Sequence, residues 1–209
     1  MEPGNESARP RRTQQERRES TRRRLLEATV ESLIEGGYSG TTTLAIEQRA
    51  KVSRGARIHH YPNKAALLAD VVDHLFSQLS DHYEEAFGRV EGVSDADRLR
   101  AGLRMLWSIY RQPSYTAVLE LSMAARTDDE LRARLVGVGD RHRALAVDAA
   151  ARYFGLDAEL GRNLADTIHA AMMGLLLQRH VEPDEGREEA TLSLIEQMVV
   201  PHLPASQER

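Results

Sequence analysis

Apolar residues recur at helical spacing in one segment of this chain after another, and nowhere do they alternate as a strand requires. Leu26, Val30, Leu33 and Ile34 fall at i, i+4, i+7 and i+8, one stripe of an α-helix. Leu67, Leu68, Val71, Val72, Leu75 and Leu79 repeat the pattern after Lys64. Leu99, Leu103, Leu106 and Tyr110 share another face, and Val118, Leu119 and Leu121 follow Pro113. Leu131, Leu135, Val138, His142, Leu145 and Ala149 form a long stripe, then Leu160, Leu164, Ile168, Ala171, Met172 and Leu175, and last Leu192, Ile195, Met198 and Val199. Gly36-Gly37, Pro62, Gly155 and Pro201 supply stops, and Asp128 an N-cap. No run of alternating residues is bounded by hairpin signals. The pattern predicts an all-α fold of about nine helices, three short ones in front and six mostly longer ones behind.

The chain of 209 residues is 41% apolar and 29% charged, the balance of a globular protein. It has no cysteine, which excludes a disulfide framework, a thiolate zinc site and a cysteine nucleophile. No apolar run nears the roughly 20 residues that span a bilayer, and Glu27 and Glu31 interrupt Leu25–Ile34. No apolar stretch follows the basic N-terminus, so no signal peptide is expected and the expected location is cytoplasmic. The net charge of −4 is unevenly spread. Residues 1–64 carry 13 Lys and Arg against 8 Asp and Glu, and the remainder carries 15 against 24. A basic head on an acidic body fits a polyanionic partner, and equally a basic tail on an ordinary domain.

Residues 1–13 are rich in Pro, Gly and Arg with little to bury and read as a disordered basic arm. A helix is expected from Gln14. Arg9, Arg11, Arg12, Arg17, Arg18, Arg22, Arg23 and Arg24 precede the first apolar stripe. Arginines of a flexible arm enter a narrow minor groove or neutralise phosphates; the alternative is a solvated tail.

Residues 41–64 read TTTLAIEQRAKVSRGARIHHYPNK. A short helix with Leu44, Ile46 and Ala50 as core contacts, a turn at Lys51-Val52-Ser53 and a second short helix from Arg54 have helix-turn-helix geometry. In such a pair the first helix lies across the DNA backbone and the second enters the major groove. The stretch resembles the DNA-binding domain of the TetR family through Thr41, Thr42, Ile46, Ala50, Val52, Ser53, Arg54, Gly55, His60, Tyr61 and Lys64. Two features depart from that pattern. Lys51 stands where the family usually has Gly, which costs about 1 kcal/mol if φ is positive and adds a charge near the phosphates. Arg57-Ile58 replaces the usual Leu-Tyr pair, so the family's Tyr-to-phosphate contact does not carry over to Ile58.

The resemblance implies phosphate contacts from Thr42, Ser53, His60, Tyr61 and Lys64 and base contacts from Arg54, Ala56, Arg57 and His59; Lys51, a departure from the family pattern, is added as a DNA-binding candidate through its charge alone. Thr42 also reads as a plain helix cap, Tyr61 as partly core and Lys64 as a surface charge. His59 and His60 point about 100° apart on a helix, so no metal is expected there. The implied division is a head over 14–64 and a body over 65–209.

A single helix-turn-helix makes few specific contacts, and two-fold pairing doubles them. The body must supply the dimer surface. The last two helices are the candidates, through Ala171, Gly174, Leu175, Leu192, Ile195, Met198 and Val199, and in the resembling family such helices pair as a four-helix bundle. The resemblance also implies a pocket for a small apolar or amphipathic effector whose binding lowers operator affinity. Trp107, Tyr110, Tyr115, Leu119, Met123, His142, His169 and Met172 are its candidates, though each also reads as core. No Gly-rich phosphate loop, nucleophile elbow or zinc-binding His pair is present, so neither catalysis nor a cofactor is expected. A DNA-binding repressor on operator DNA is the expected function, with a helical protein-binding adaptor as the alternative.

Overall fold

The computed structural model describes residues 13–82, 86–88 and 93–203; the expectations for residues 1–12 lie outside them. Nine α-helices follow one another among the described residues: α1 Gln14–Gly40, α2 Thr43–Ala50, α3 Arg54–His60, α4 Lys64–Asp81, α5 Asp95–Tyr110, α6 Pro113–Ala124, α7 Asp129–Phe154, α8 Ala158–Val181 and α9 Glu185–Val199. A 3₁₀ turn over Val200–His202 ends the series, and no strand occurs among these residues. The helical period therefore gave the fold class correctly. One detail is corrected: α1, one of the three front helices expected to be short, has 27 residues.

Local chemistry explains the boundaries. Thr13 and Glu16 start α1 with a reciprocal capping box, the Thr13 side chain accepting the Glu16 amide and the Glu16 carboxylate accepting the Thr13 amide. Near the other end, Gly37 leaves the helix at φ 61° before a last turn to Gly40. Asp128 caps α7, Asp157 α8 and Asp184 α9, each through its carboxylate. Gly155 closes α7 in the left-handed conformation.

One apolar core runs the length of the molecule. Leu25, Leu33, Ile46, Leu67 and Leu68 at the front, Leu103, Tyr115, Leu121 and Leu131 in the middle and Met172 and Leu192 behind are at most 2% exposed. Each such aliphatic side chain contributes about 1.5–3 kcal/mol relative to exposure. Helix α1 packs on α2 and α6, α4 on α7, α7 on α8, and α9 on α5. Gly102 lets α5 pass against Phe87, because a Cβ there would sit 2.2 Å from that ring. Leu44 is 62% exposed, so it is not the core contact its spacing suggested.

Candidate nucleic-acid interface

Hydroxyls begin both short helices of the front unit. The Thr42 hydroxyl oxygen accepts the Ala45 amide at 3.1 Å and that of Ser53 accepts the Ala56 amide at 3.2 Å. Both residues are exposed, and each O–H remains free to donate outward. Between the helices Lys51 adopts φ 52°, ψ 47°, the strained left-handed conformation for a side-chain-bearing residue. Its amide donates to the Gln48 carbonyl at 3.2 Å and that of Val52 to the Glu47 carbonyl at 3.0 Å. Arg24 of α1 braces this turn by donating to the carbonyls of Ala50 and, at 2.6 Å, Lys51. A guanidinium there also complements the dipole at the end of α2.

Helix α3 divides by face. Arg57 points inward and is 7% exposed. Its Nε donates to Glu47 Oε1 at 3.0 Å and its Nη1 to the Tyr61 carbonyl at 3.1 Å. The expectation that Arg57 reads a base is thereby corrected: it struts α3 against α2. Tyr61 is likewise buried, so its role as a phosphate contact is corrected too. Its hydroxyl donates to Asp70, and burial followed by this bond to a carboxylate pushes the phenol well above its usual range. Arg22 of α1 grips the same carboxylate through Nε at 3.1 Å and Nη2 at 2.9 Å. Asp70 thus ties α1, the end of α3 and α4 together.

Lys64 is half-buried and turned away from solvent. Its amine donates to the Tyr38 carbonyl at 3.3 Å and lies 4.0 Å from the centre of that ring, and burial lowers its pKa. This corrects its expected reach to a phosphate. The side chains left exposed on α3 are Arg54, Ile58 and His59, with Gly55 open beside them and Ala56 and His60 half-buried. The usable surface is therefore Thr42, Lys51, Ser53, Arg54, Ile58 and His59. Ile58, 45% exposed, was missed because a lone aliphatic on a seven-residue helix gives no periodic signal.

The model of bacterial regulatory proteins of the tetR family matches residues 25–71, from the first core leucine of α1 into α4. An uncharacterized HTH-type transcriptional regulator of Mycobacterium tuberculosis is 32% identical over 139 residues, 66% of this chain and 70% of that protein. This chain belongs to the tetR family. It is a DNA-binding transcriptional regulator of the helix-turn-helix type. The regulator CymR of Pseudomonas putida is 29% identical over 138 residues, 66% of this chain and 67% of that protein. A putative tetR-family regulator from Rhodococcus sp. shares the fold, with TM-score 0.70 at 20% identity over 89% of this chain and all of that one.

The body of this tetR-family chain holds an apolar cavity of about 80 Å³ between α5, α7 and α8. Of the eight expected pocket residues only Tyr110 and His169 line it, and the Tyr110 hydroxyl and His169 Nδ1 lie 2.9 Å apart. The others are elsewhere. Met123 is 59% exposed, Met172 lies in the core, and Trp107 donates to Glu188 at 3.0 Å on the α9 side. Tyr115 is buried and donates to the Leu75 carbonyl at 3.1 Å, Leu119 packs partly buried on the core, and His142 lies 3.0 Å from Asp73.

The dimer candidates are also rearranged. Leu175, Leu192, Ile195 and Val199 are 2–7% exposed within one chain, so they pack internally and do not face a mate. Ala171 is partly buried against the same core, whereas Gly174 is open and Met198 is 59% exposed. The outward stripe is Ala170, Gly174, Leu177 and Val181 on α8 with Ala190, Leu194 and Met198 on α9.

A polar junction joins front to body. The Tyr38 amide donates to Glu120 of α6 at 3.0 Å, its hydroxyl to Asp128 at 2.7 Å, and Asn63 to Glu130 at 2.8 Å. Glycine at position 37 suits the positive φ, and a Cβ there would press on the Glu120 carboxylate at 3.1 Å.

Proposed function

We propose that this regulator is a homodimeric repressor that binds a palindromic operator through its head, residues 14–64, and is released by a small apolar or amphipathic effector held in its body, residues 65–209. The observation that carries the reading is the division of α3 into a locked inner face and an open outer one. Arg57 and Tyr61 hold the helix rigidly, so Arg54, Ile58 and His59 present fixed chemistry outward. Arg54 suits a guanine edge and Ile58 a thymine methyl. Thr42, Ser53 and Lys51 flank them as phosphate contacts.

The α8–α9 stripe supplies the mate's contact, since two heads read two half-sites only when joined. The cavity suits an apolar effector with one hydrogen-bonding group toward His169. At about 80 Å³ it is smaller than typical ligand pockets of about 300–1,000 Å³, so binding a larger effector separates α5, α7 and α8. The Tyr38 junction carries such a movement to the heads.

Selection of bound duplexes from random-sequence DNA tests the reading. A palindrome of two half-sites is the expected result, and Ile58→Ala relaxes one position in each half-site by about 1 kcal/mol. Enrichment of no sequence at low salt overturns it in favour of the protein-binding adaptor.

A further inference from the structure

We infer that the first three turns of α1 are a second DNA-binding element, in which Arg17 and Arg18 take backbone phosphates flanking the base pairs that α3 reads. This rests on the operator reading above. The family match begins at Leu25, and residues 14–24 stand ahead of it as an ordered helical overhang of about 16 Å. The Thr13–Glu16 capping box starts it and α1 continues without a break into the core at Leu25. The overhang, QQERRESTRRR, contains no apolar residue, and residues 13–19 are all exposed. The stretch through Glu19 buries nothing, so packing accounts only for the last turn of the overhang, where Arg22 and Arg24 dock.

Its five arginines are not equivalent. Arg22 is held by Asp70, Arg24 by the carbonyls of the α2–α3 turn, and Arg23 faces Glu27 at 3.9 Å. Arg17 and Arg18 pair with no carboxylate among the described residues, while Glu16 is turned back to the cap and Glu19 toward Arg22.

Helical register sets their direction. Arg18 is one turn out from Arg22 on the same face, and Arg22 docks beside Tyr61 at the end of α3. Arg18 therefore overhangs that end. The His60 imidazole lies in its field: burial first, then the charges of His59, Arg18 and Arg22, hold its pKa below the usual value. Arg17 is seven residues from Arg24 and shares its face, above the turn at Lys51. The two arginines extend the exposed surface of Lys51, Ser53 and α3 at both ends, where a duplex seated on α3 continues. Two guanidiniums with no carboxylate partner among the described residues, carried on a rigid rod, match phosphate oxygens.

The test uses the full chain and the duplex it enriches from random-sequence DNA, with affinity measured against salt. Neutralised phosphates release counterions, about 0.9 in the slope of log affinity on log salt for each. The double variant Arg17→Ala, Arg18→Ala is expected to lower that slope by about 3.6 in a dimer, to shorten the phosphate-interference footprint at its edges and to keep the same preferred sequence. Arg23→Ala, on the other side of the helix, is expected to change none of these. Arg17→Gln, Arg18→Gln repeats the result with the side-chain length largely kept, and far-UV circular dichroism shows α1 intact in both. An unchanged slope and footprint overturn the proposal while leaving the operator reading standing. If no duplex is enriched, both fall.

Discussion

Arg57 and Glu47 meet with 8% and 11% of their side chains exposed. A buried pair of this kind adds little over an apolar pair of the same shape, because desolvation offsets the attraction. Removing one partner is different, since it strands the other as an uncompensated charge. Arg57→Ala is therefore expected to destabilise the front unit by about 3 kcal/mol, as is Glu47→Ala. The double variant should lose less than the sum, and denaturant unfolding measures all three. Duplexes selected by whatever Arg57→Ala protein remains folded should carry the wild-type sequence. Had Arg57 faced a base, the variant would keep its stability and relax one position in each half-site, so stability and selectivity move oppositely under the two roles. The side chain's destination was not legible in the sequence. Arginine on a recognition helix satisfies both readings, and only the approach of Glu47 from α2 decides between them.

At the scale of elements, boundaries were legible wherever a single residue makes them. Asp128, Gly155 and Pro113 each mark an end through their own backbone or side-chain chemistry. The first turn of α1 carries the same kind of signal in the capping-box spacing of Thr13 and Glu16, which is passed over when Thr13 is counted with the arm. What faced what was less legible. Leu175 and Leu192 have the same periodic signature whether they pack on their own chain or on a second copy, and only the position of α5 and α6 against them shows that they are covered.

The junction between α1, α4 and α7 is a tertiary device with no local signal at all. Burial, followed by the bond to Asp128, pushes the Tyr38 phenol up to about 12. The Leu131 amide first and the Tyr38 hydroxyl second hold the Asp128 carboxyl below its usual range. A phenol whose pKa is raised on folding stabilises fully below the unfolded value near 10 and loses that contribution as pH climbs toward 12. A carboxyl whose pKa is lowered acts at the other end, losing its contribution as pH falls through the folded value. Spectrophotometric titration of the folded protein should thus show Tyr38 and Tyr61 ionising late. Tyr38→Phe should remove one late group and weaken the alkaline loss of stability between pH 10 and 12. A titration in which every phenol ionises near 10 would show the Asp128 and Asp70 bonds to be absent in solution.

For the whole molecule, the decisive surface is the one that a single chain leaves open. Val181 is 83% exposed, Leu177 49%, Leu194 56% and Met198 59%, and they share one side of α8 and α9 with Gly174. Such a patch on a monomer is a liability, whereas it is the natural core of a symmetric contact. Because these side chains touch little of their own chain, a charge placed on them leaves the fold alone and acts on association. Leu194→Glu with Met198→Glu puts four carboxylates around the two-fold axis of the proposed dimer. The expected result is a monomer by sedimentation, with unchanged circular dichroism and the same late tyrosine titration. Operator affinity should drop by about 10²–10⁴, the advantage that joining two heads confers, while a half-site duplex binds each variant head as it binds a wild-type head. Retention of the dimer would move the mate to another face and leave this apolar stripe without its partner. Loss of half-site binding along with the dimer would mean that the heads depend on the bundle for their own structure. The core running unbroken from Leu25 to Val199 makes that second outcome a real competitor, and the half-site measurement separates the two.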